Sequence, residues 1–170
     1  MSANHALAIS VGVLGGIATW LFLGPLGGML AIWAAFIAWG CFFHCGGSES
    51  GLQSAILGNI AGAIIAGITL WVATQTGLGD KIGLPLWAGI CVGVGVAAMV
   101  LLANVEIFAA IPAQVYGFAS VVALTLLGNG AGNLSAPAMA NPVVVIILSM
   151  IVGAIFGWVS EKVAGMLAKS

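Results

Sequence analysis

The sequence predicts an all-α, polytopic membrane protein with six transmembrane helices. Three observations carry that expectation. Hydrophobic residues fill 62% of the 170 positions. Charged residues fill 4%, against about 25% in ordinary soluble domains. Apolar stretches close to the ~20 residues that cross a ~30 Å hydrocarbon core recur along the chain, parted by short polar breaks. A soluble fold of this size needs a polar surface, and three Lys plus Arg with four Asp plus Glu cannot supply one. The 26 glycines suit membrane helices, where Gly is more frequent than in soluble ones. Length makes the chain one transmembrane domain over 1–170. A net charge of −1 leaves no basic patch for phosphates and excludes nucleic acid as a partner.

The first span covers 6–23. No basic segment precedes it and small residues lead on into more apolar sequence, so it reads as a retained helix and not a cleaved signal peptide. Gly24-Pro25 then breaks the chain. The second span covers 28–44, and 46–51 (Gly-Gly-Ser-Glu-Ser-Gly) makes a polar turn. The third covers 52–74, and the loop 77–83 carries Asp80 and Lys81. The stretch 84–127 is too long for one helix. Its one strongly polar cluster, Asn104-Val105-Glu106, divides it into spans at 85–103 and 107–127, with Pro112 as a kink or an early turn. The segment 128–141 is rich in Gly, Asn, Ala and Pro and reads as a loop. The sixth span covers 142–163 and starts at Pro142, a favoured first helical residue. Helices of this kind pair every backbone polar group internally, as lipid demands. Lys162 and Lys169 lie on the side of both termini and Lys81 on the other, so the positive-inside bias places the termini in the cytoplasm.

The halves 1–76 and 84–165 resemble each other. Gly12-x-x-x-Gly16 in the first span has a counterpart in Gly89-x-x-x-Gly93 in the fourth. Ile60-Ala61-Gly62-Ala63-Ile64 in the third parallels Ile151-Val152-Gly153-Ala154-Ile155 in the sixth. Three spans per copy would invert the second copy, and transporters built that way place their solute path at the interface of the repeats. Gly24-x-x-x-Gly28, Gly58-x-x-x-Gly62 and Gly153-x-x-x-Gly157 add further small-residue faces for close helix approach, some of which would serve a homo-oligomer.

Candidate pore-lining or solute-binding residues are the polar groups in or near the spans: His44, Ser48, Gln53, Asn59, Glu106, Gln114, Tyr116, Asn129 and Asn133. Neutral amides and hydroxyls suit a neutral solute, or simply interhelical hydrogen bonds. His44 could titrate near neutral pH, and Glu106 is interfacial if the break beside it is real. The glycine-rich connections 46–51 and 128–135 are expected to dip into the membrane from opposite sides, Ser48, Asn129, Asn133 and Ser135 satisfying their backbone. Cys41, His44 and Cys45 share one helix face as weak metal-ligand candidates, but the sequence holds no second ligand pair, so no metal and no cofactor is expected. The odd cysteine count, with Cys91, reads as free thiols. Trp20, Trp39, Trp71 and Trp158 read as an interfacial aromatic belt. No nucleophile elbow, P-loop, HExxH or dinucleotide fingerprint is present, so no enzymatic activity is expected.

The segments Trp33-Ala34-Ala35-Phe36, Phe42-Phe43-His44-Cys45-Gly46-Gly47 and Gly51-Leu52 resemble the domain-of-unknown-function 1097 family of small bacterial inner-membrane proteins. That resemblance implies a bacterial inner-membrane location and a similar apolar profile over nearly the whole chain. It carries no activity and no site residues.

The expected function is a channel or facilitator for a small neutral or weakly basic solute of the urea, ammonia, amide or water class. Its expected partners are the lipid bilayer, that solute and further copies of itself. A non-transporting scaffold or regulatory subunit is the first alternative. A proton- or metal-coupled transporter using His44 is the second.

Overall fold

The computed structural model describes residues 1–128 and 133–169. Its helices are α1 (Ala3–Leu23), α2 (Ile32–His44), α3 (Ser48–Gln75), the short α4 (Leu78–Ile82), α5 (Leu84–Leu102), α6 (Ile111–Leu127) and α7 (Pro142–Lys169), with single 3-10 turns at Glu106–Phe108 and Ala138–Ala140. No strand occurs among the described residues, and the fold is all-α as the composition requires. Four helices, α1, α3, α5 and α7, are long and apolar enough to cross a membrane, and α2 and α6 are shorter apolar helices. At 1.5 Å per residue, the 13 residues of α2 and 17 of α6 extend about 20 and 26 Å.

Several boundaries differ from expectation for local reasons. The second span starts at Ile32 and not at residue 28, because Gly28 takes a φ of 77° and the chain turns through 24–31. Its free N-terminus is met from another helix: Ala31 N donates to Ser149 Oγ at 2.9 Å. The polar turn at 46–51 is mostly helix. Gly47 takes a φ of 68° and Glu161 Oε2 accepts from Ser48 N at 2.9 Å, so α3 begins at Ser48. Only residues 45–47 remain between α2 and α3, too few for a loop that enters the bilayer. The break at Asn104 is real, and Pro112 falls in the first turn of α6, where its missing N–H costs nothing.

Helices α2, α3, α6 and α7 form the core, with α1 and α5 outside it. In its most apolar stretch α3 is 56% buried, against 22% for α1 and 17% for α5. The packing follows a pattern of matched pairs. Helix α6 lies mainly on α3, and α2 mainly on α7; α5 rests on α3, and α1 on α7; α3 and α7 pack on each other. Glycines set the closest approaches. A Cβ on Gly62 would strike the Gln114 carbonyl, and one on Gly153 would strike the Ala35 carbonyl. Direction is fixed by the same contacts: Gly58 meets Ala113 and Gly62 meets Phe118, so α6 runs parallel to α3, while Gly153 meets Ala35 and Gly157 meets Phe42, so α7 runs parallel to α2.

Burial repeats with the packing. In α2 the buried positions are Ala34, Ala35, Ala38, Trp39, Cys41 and Phe42. In α6 they are Ala113, Gln114, Gly117, Phe118, Ser120 and Val121, at the same spacing, followed by Thr125. Every buried residue of α7, from Pro142 to Ala164, stands where α3 has a buried residue, from Gly51 to Ala73. For the outer helices the match joins Ser10 and Ala18 with Cys91 and Met99. That register aligns Ile9-Ser10-Val11-Gly12-Val13 with Ile90-Cys91-Val92-Gly93-Val94, one helical turn from the Gly12–Gly89 pairing read in the sequence.

Candidate functional site

Charge collects at one end of the bundle. Alternating helices bring Glu49, Glu106, Glu161, Lys162 and Lys169 to the end that holds both termini, and leave Asp80 and Lys81 at the other. At the charged end Lys162 Nζ pairs with Glu49 Oε1 at 3.1 Å, and Trp158 Nε1 donates to the same oxygen at 3.0 Å. Lys162 also sits 5.4 Å over the Trp158 ring. Both members of the ion pair are exposed, so solvent screens the pair and it adds little stability.

His44 closes α2 at this end, exposed, with Nδ1 2.8 Å from Tyr116 Oη on α6. This contact brings two sequence-predicted site residues together directly. Cys41 and Cys45 Sγ lie 4.0 Å apart, but no three His, Cys, Asp or Glu side chains converge as metal ligands among the described residues. Cys41, His44 and Cys45 therefore do not assemble a three-ligand set. Ser48, Gln53 and Glu106 are exposed, as is Asn133, which borders an open pocket with Gly28, Leu124 and Gly128. Asn129 lies outside the described residues.

The interior holds a different kind of group. Asn59 on α3 and Gln114, Ser120 and Thr125 on α6 are all at most 2% exposed. Neither amide atom of Asn59 has a hydrogen-bond partner, nor does Gln114 Oε1, Ser120 Oγ or Thr125 Oγ1. Gln114 Nε2 donates to the Phe108 carbonyl at 2.6 Å, which holds one end of that side chain. Each unpartnered buried polar group costs about 1–3 kcal/mol. The buried serines of the outer and last helices are satisfied: Ser10 Oγ donates to the Ser160 carbonyl at 2.8 Å, and Ser149 Oγ to the Val145 carbonyl at 2.6 Å. Trp87 Nε1 on α5 is also buried without a partner, so among the described residues the orphan groups lie on α3, α5 and α6, all of them neutral.

Sequence reasoning singled out Asn59 and Gln114 but missed Ser120 and Thr125. Hydroxyls in membrane helices ordinarily bond back to their own preceding turn. The signal was the helical spacing of Gln114, Phe118, Val121 and Thr125, which sets Thr125 on the Gln114 face. The tryptophan reading needs one correction. Trp39 is buried, 4% exposed, and its Nε1 donates to Ser160 Oγ at 3.1 Å, so it is a core residue and not part of a belt. An open, almost wholly apolar cleft of about 340 Å³ runs between α3 and α5 past Thr69, Trp87 and Cys91, and the unpartnered Trp87 Nε1 belongs to its lining.

The fold and this interior define the class: an all-α membrane protein whose bundle buries neutral polar groups. The model of the family described as "Protein of unknown function (DUF1097)" matches residues 8–165, nearly the whole chain, and the chain belongs to that family. No curated protein and no solved structure matches it.

Proposed function

We propose that the protein is a channel or facilitator for a small neutral polar solute, built from two inverted three-helix repeats at 1–76 and 84–165. In this reading it sits in a bacterial inner membrane with both termini in the cytoplasm, the side that gathers Lys162 and Lys169. The observation that carries the reading is the set of orphan groups on Asn59, Gln114, Ser120 and Thr125. A bundle needing only to hold together has no use for buried dipoles without partners. A passing solute that donates and accepts hydrogen bonds would satisfy them in turn. Every charged side chain lies at an end of the bundle, and an ion path more often carries charged rings or a carbonyl filter. The matched packing of α2 on α7 and α6 on α3 supports the inverted repeat, with parallel partners as inversion demands.

Stopped-flow light scattering on proteoliposomes tests this. Vesicles holding the protein should recover volume faster than empty ones when challenged with urea, formamide, acetamide, glycerol or ammonia. Identical traces across that panel would remove transport. The scaffold reading would then lead, and it has an observation of its own: Gly12, Gly16, Gly89 and Gly93 all face open space on the outer helices, free for a partner or a second copy.

A further inference from the structure

We propose that the solute binds where the two halves exchange, in a site formed by Asn59, Cys41, Ser120 and Met150, and that it is a small primary amide. This rests on the transport reading above. The location follows from the matched burial. Exchanging α2 with α6 carries Cys41 onto Ser120, and exchanging α3 with α7 carries Asn59 onto Met150. An approximate two-fold axis relating the halves would pass midway between the members of every matched pair, and it lies close to a pair only where the two matched helices cross, as α2 and α6 do near Cys41 and Ser120, where His44 meets Tyr116. The helix contacts agree. Helices α3 and α7 run antiparallel, meeting at Gly67 with Val143 on one side and at Glu49 with Trp158 on the other, and Asn59 and Met150 lie midway. All four side chains are at most 2% exposed, and Asn59 lies against the Cys41 thiol.

The chemistry of the four narrows the ligand. Apart from the weakly bonding Cys41 thiol beside it, Asn59 presents two N–H donors and a carbonyl acceptor without partners, and Ser120 adds an unpartnered hydroxyl. None carries charge. A neutral ligand offering an amide edge, with its own donor and acceptor, satisfies Asn59 on both counts. The site is unequal across the axis, because the counterpart of Asn59 is the apolar Met150. A ligand polar on one edge and apolar on the other fits that inequality, so a short alkyl amide suits it better than urea, which is polar on both. Gln114 and Thr125 flank Ser120 along α6 by six and five residues, about 9 and 7.5 Å of rise, one toward each end of the bundle. They are placed to hand the solute in and out.

Two measurements on the full chain, on a background of Cys45→Ser and Cys91→Ser, test the site separately from transport. The first follows modification of Cys41 by a small neutral maleimide in detergent, with and without acetamide. Acetamide should slow labelling in the Asn59 protein and leave the rate unchanged in Asn59→Leu and in Asn59→Ser, the second variant guarding against a folding defect in the first. The second follows the concentration dependence of acetamide entry into proteoliposomes. Asn59→Leu should raise the half-saturating concentration about tenfold or more, the loss of roughly one hydrogen-bonding group. Met150→Asn should shift preference from acetamide toward urea. Protection without flux would uphold the site and overturn transport. Flux with no protection of Cys41, or with an unchanged half-saturation in both Asn59 variants, would overturn the site and leave transport standing. Absence of both would overturn the two together.

Discussion

Helices α2 and α6 hold matching places in the bundle and bury the same positions, yet they fill them differently. Where α2 has Ala35 and Cys41, α6 has Gln114 and Ser120. The α2 side is satisfied throughout: Trp39 bonds Ser160, and Ala31 bonds Ser149. The α6 side carries orphan oxygens on Gln114, Ser120 and Thr125. Packing constrains both helices alike, since glycines bring each one's backbone against a long partner. Hydrogen bonding is complete on one and left open on the other. Steric pattern and polar content are therefore separable in this fold, and between α2 and α6 it is the polar content that differs.

The comparison breaks most readily at the close approaches. Gly62→Val and Gly153→Val each push a side chain into a backbone carbonyl. Both should cost about 3 kcal/mol or more and lose monodispersity in detergent, read by size exclusion and thermal unfolding. A large loss in one and none in the other would deny that the two crossings are equivalent. Serine substitutions give the next effect, with opposite signs. Ser160→Ala removes the acceptor of Trp39 and should destabilise by about 1 kcal/mol. Ser120→Ala removes an orphan hydroxyl and should be neutral or stabilising by up to about 1 kcal/mol, while slowing solute flux. A destabilising Ser120→Ala would mean the hydroxyl is already paired. At the ionic end, Glu49→Gln should leave the thermal unfolding midpoint almost unchanged in low salt and less changed still in high salt. The smallest effect belongs to the outer helices. Gly12→Val and Gly93→Val meet open space and should leave subunit stability within about 0.5 kcal/mol. Cross-linking in membranes would show whether either one alters assembly.

Much of the fold was legible because lipid imposes simple rules. Apolar runs gave the helices, and the lone polar cluster at Asn104 gave the division of the long segment before α6. What sequence could not supply were caps provided from elsewhere in the chain. Nothing near Ser48 signals that Glu161 will start α3 early, and nothing near Ala31 signals Ser149. Register was hidden for a related reason. In sequence rich in Gly and Ala, a repeat can be aligned at several offsets, and burial is what separates them. Asn59 and Gln114 stood out as amides within apolar spans. Their lack of partners depends on the packing of other helices and is not written in their neighbours. Trp39 was misread because aromatic belts and aromatic cores share a composition; the distinction lies in Ser160, far along the chain.

The partnership of the first two helices with the last has a consequence for synthesis. Helices α1 and α2 find their main packing surface on α7, and the backbone N–H that opens α3 is held by a carboxylate 113 residues downstream. The chain emerges at about 5–20 residues per second, so the early helices wait in the bilayer for several seconds without the partner that closes them. Gly153 and Gly157 arrive only when the final helix inserts alongside α2. Assembly is then a late, concerted closure instead of a stepwise stacking. A fragment ending after α3 should remain loosely associated and open to proteolysis, and should regain resistance when the second half is supplied from a separate gene.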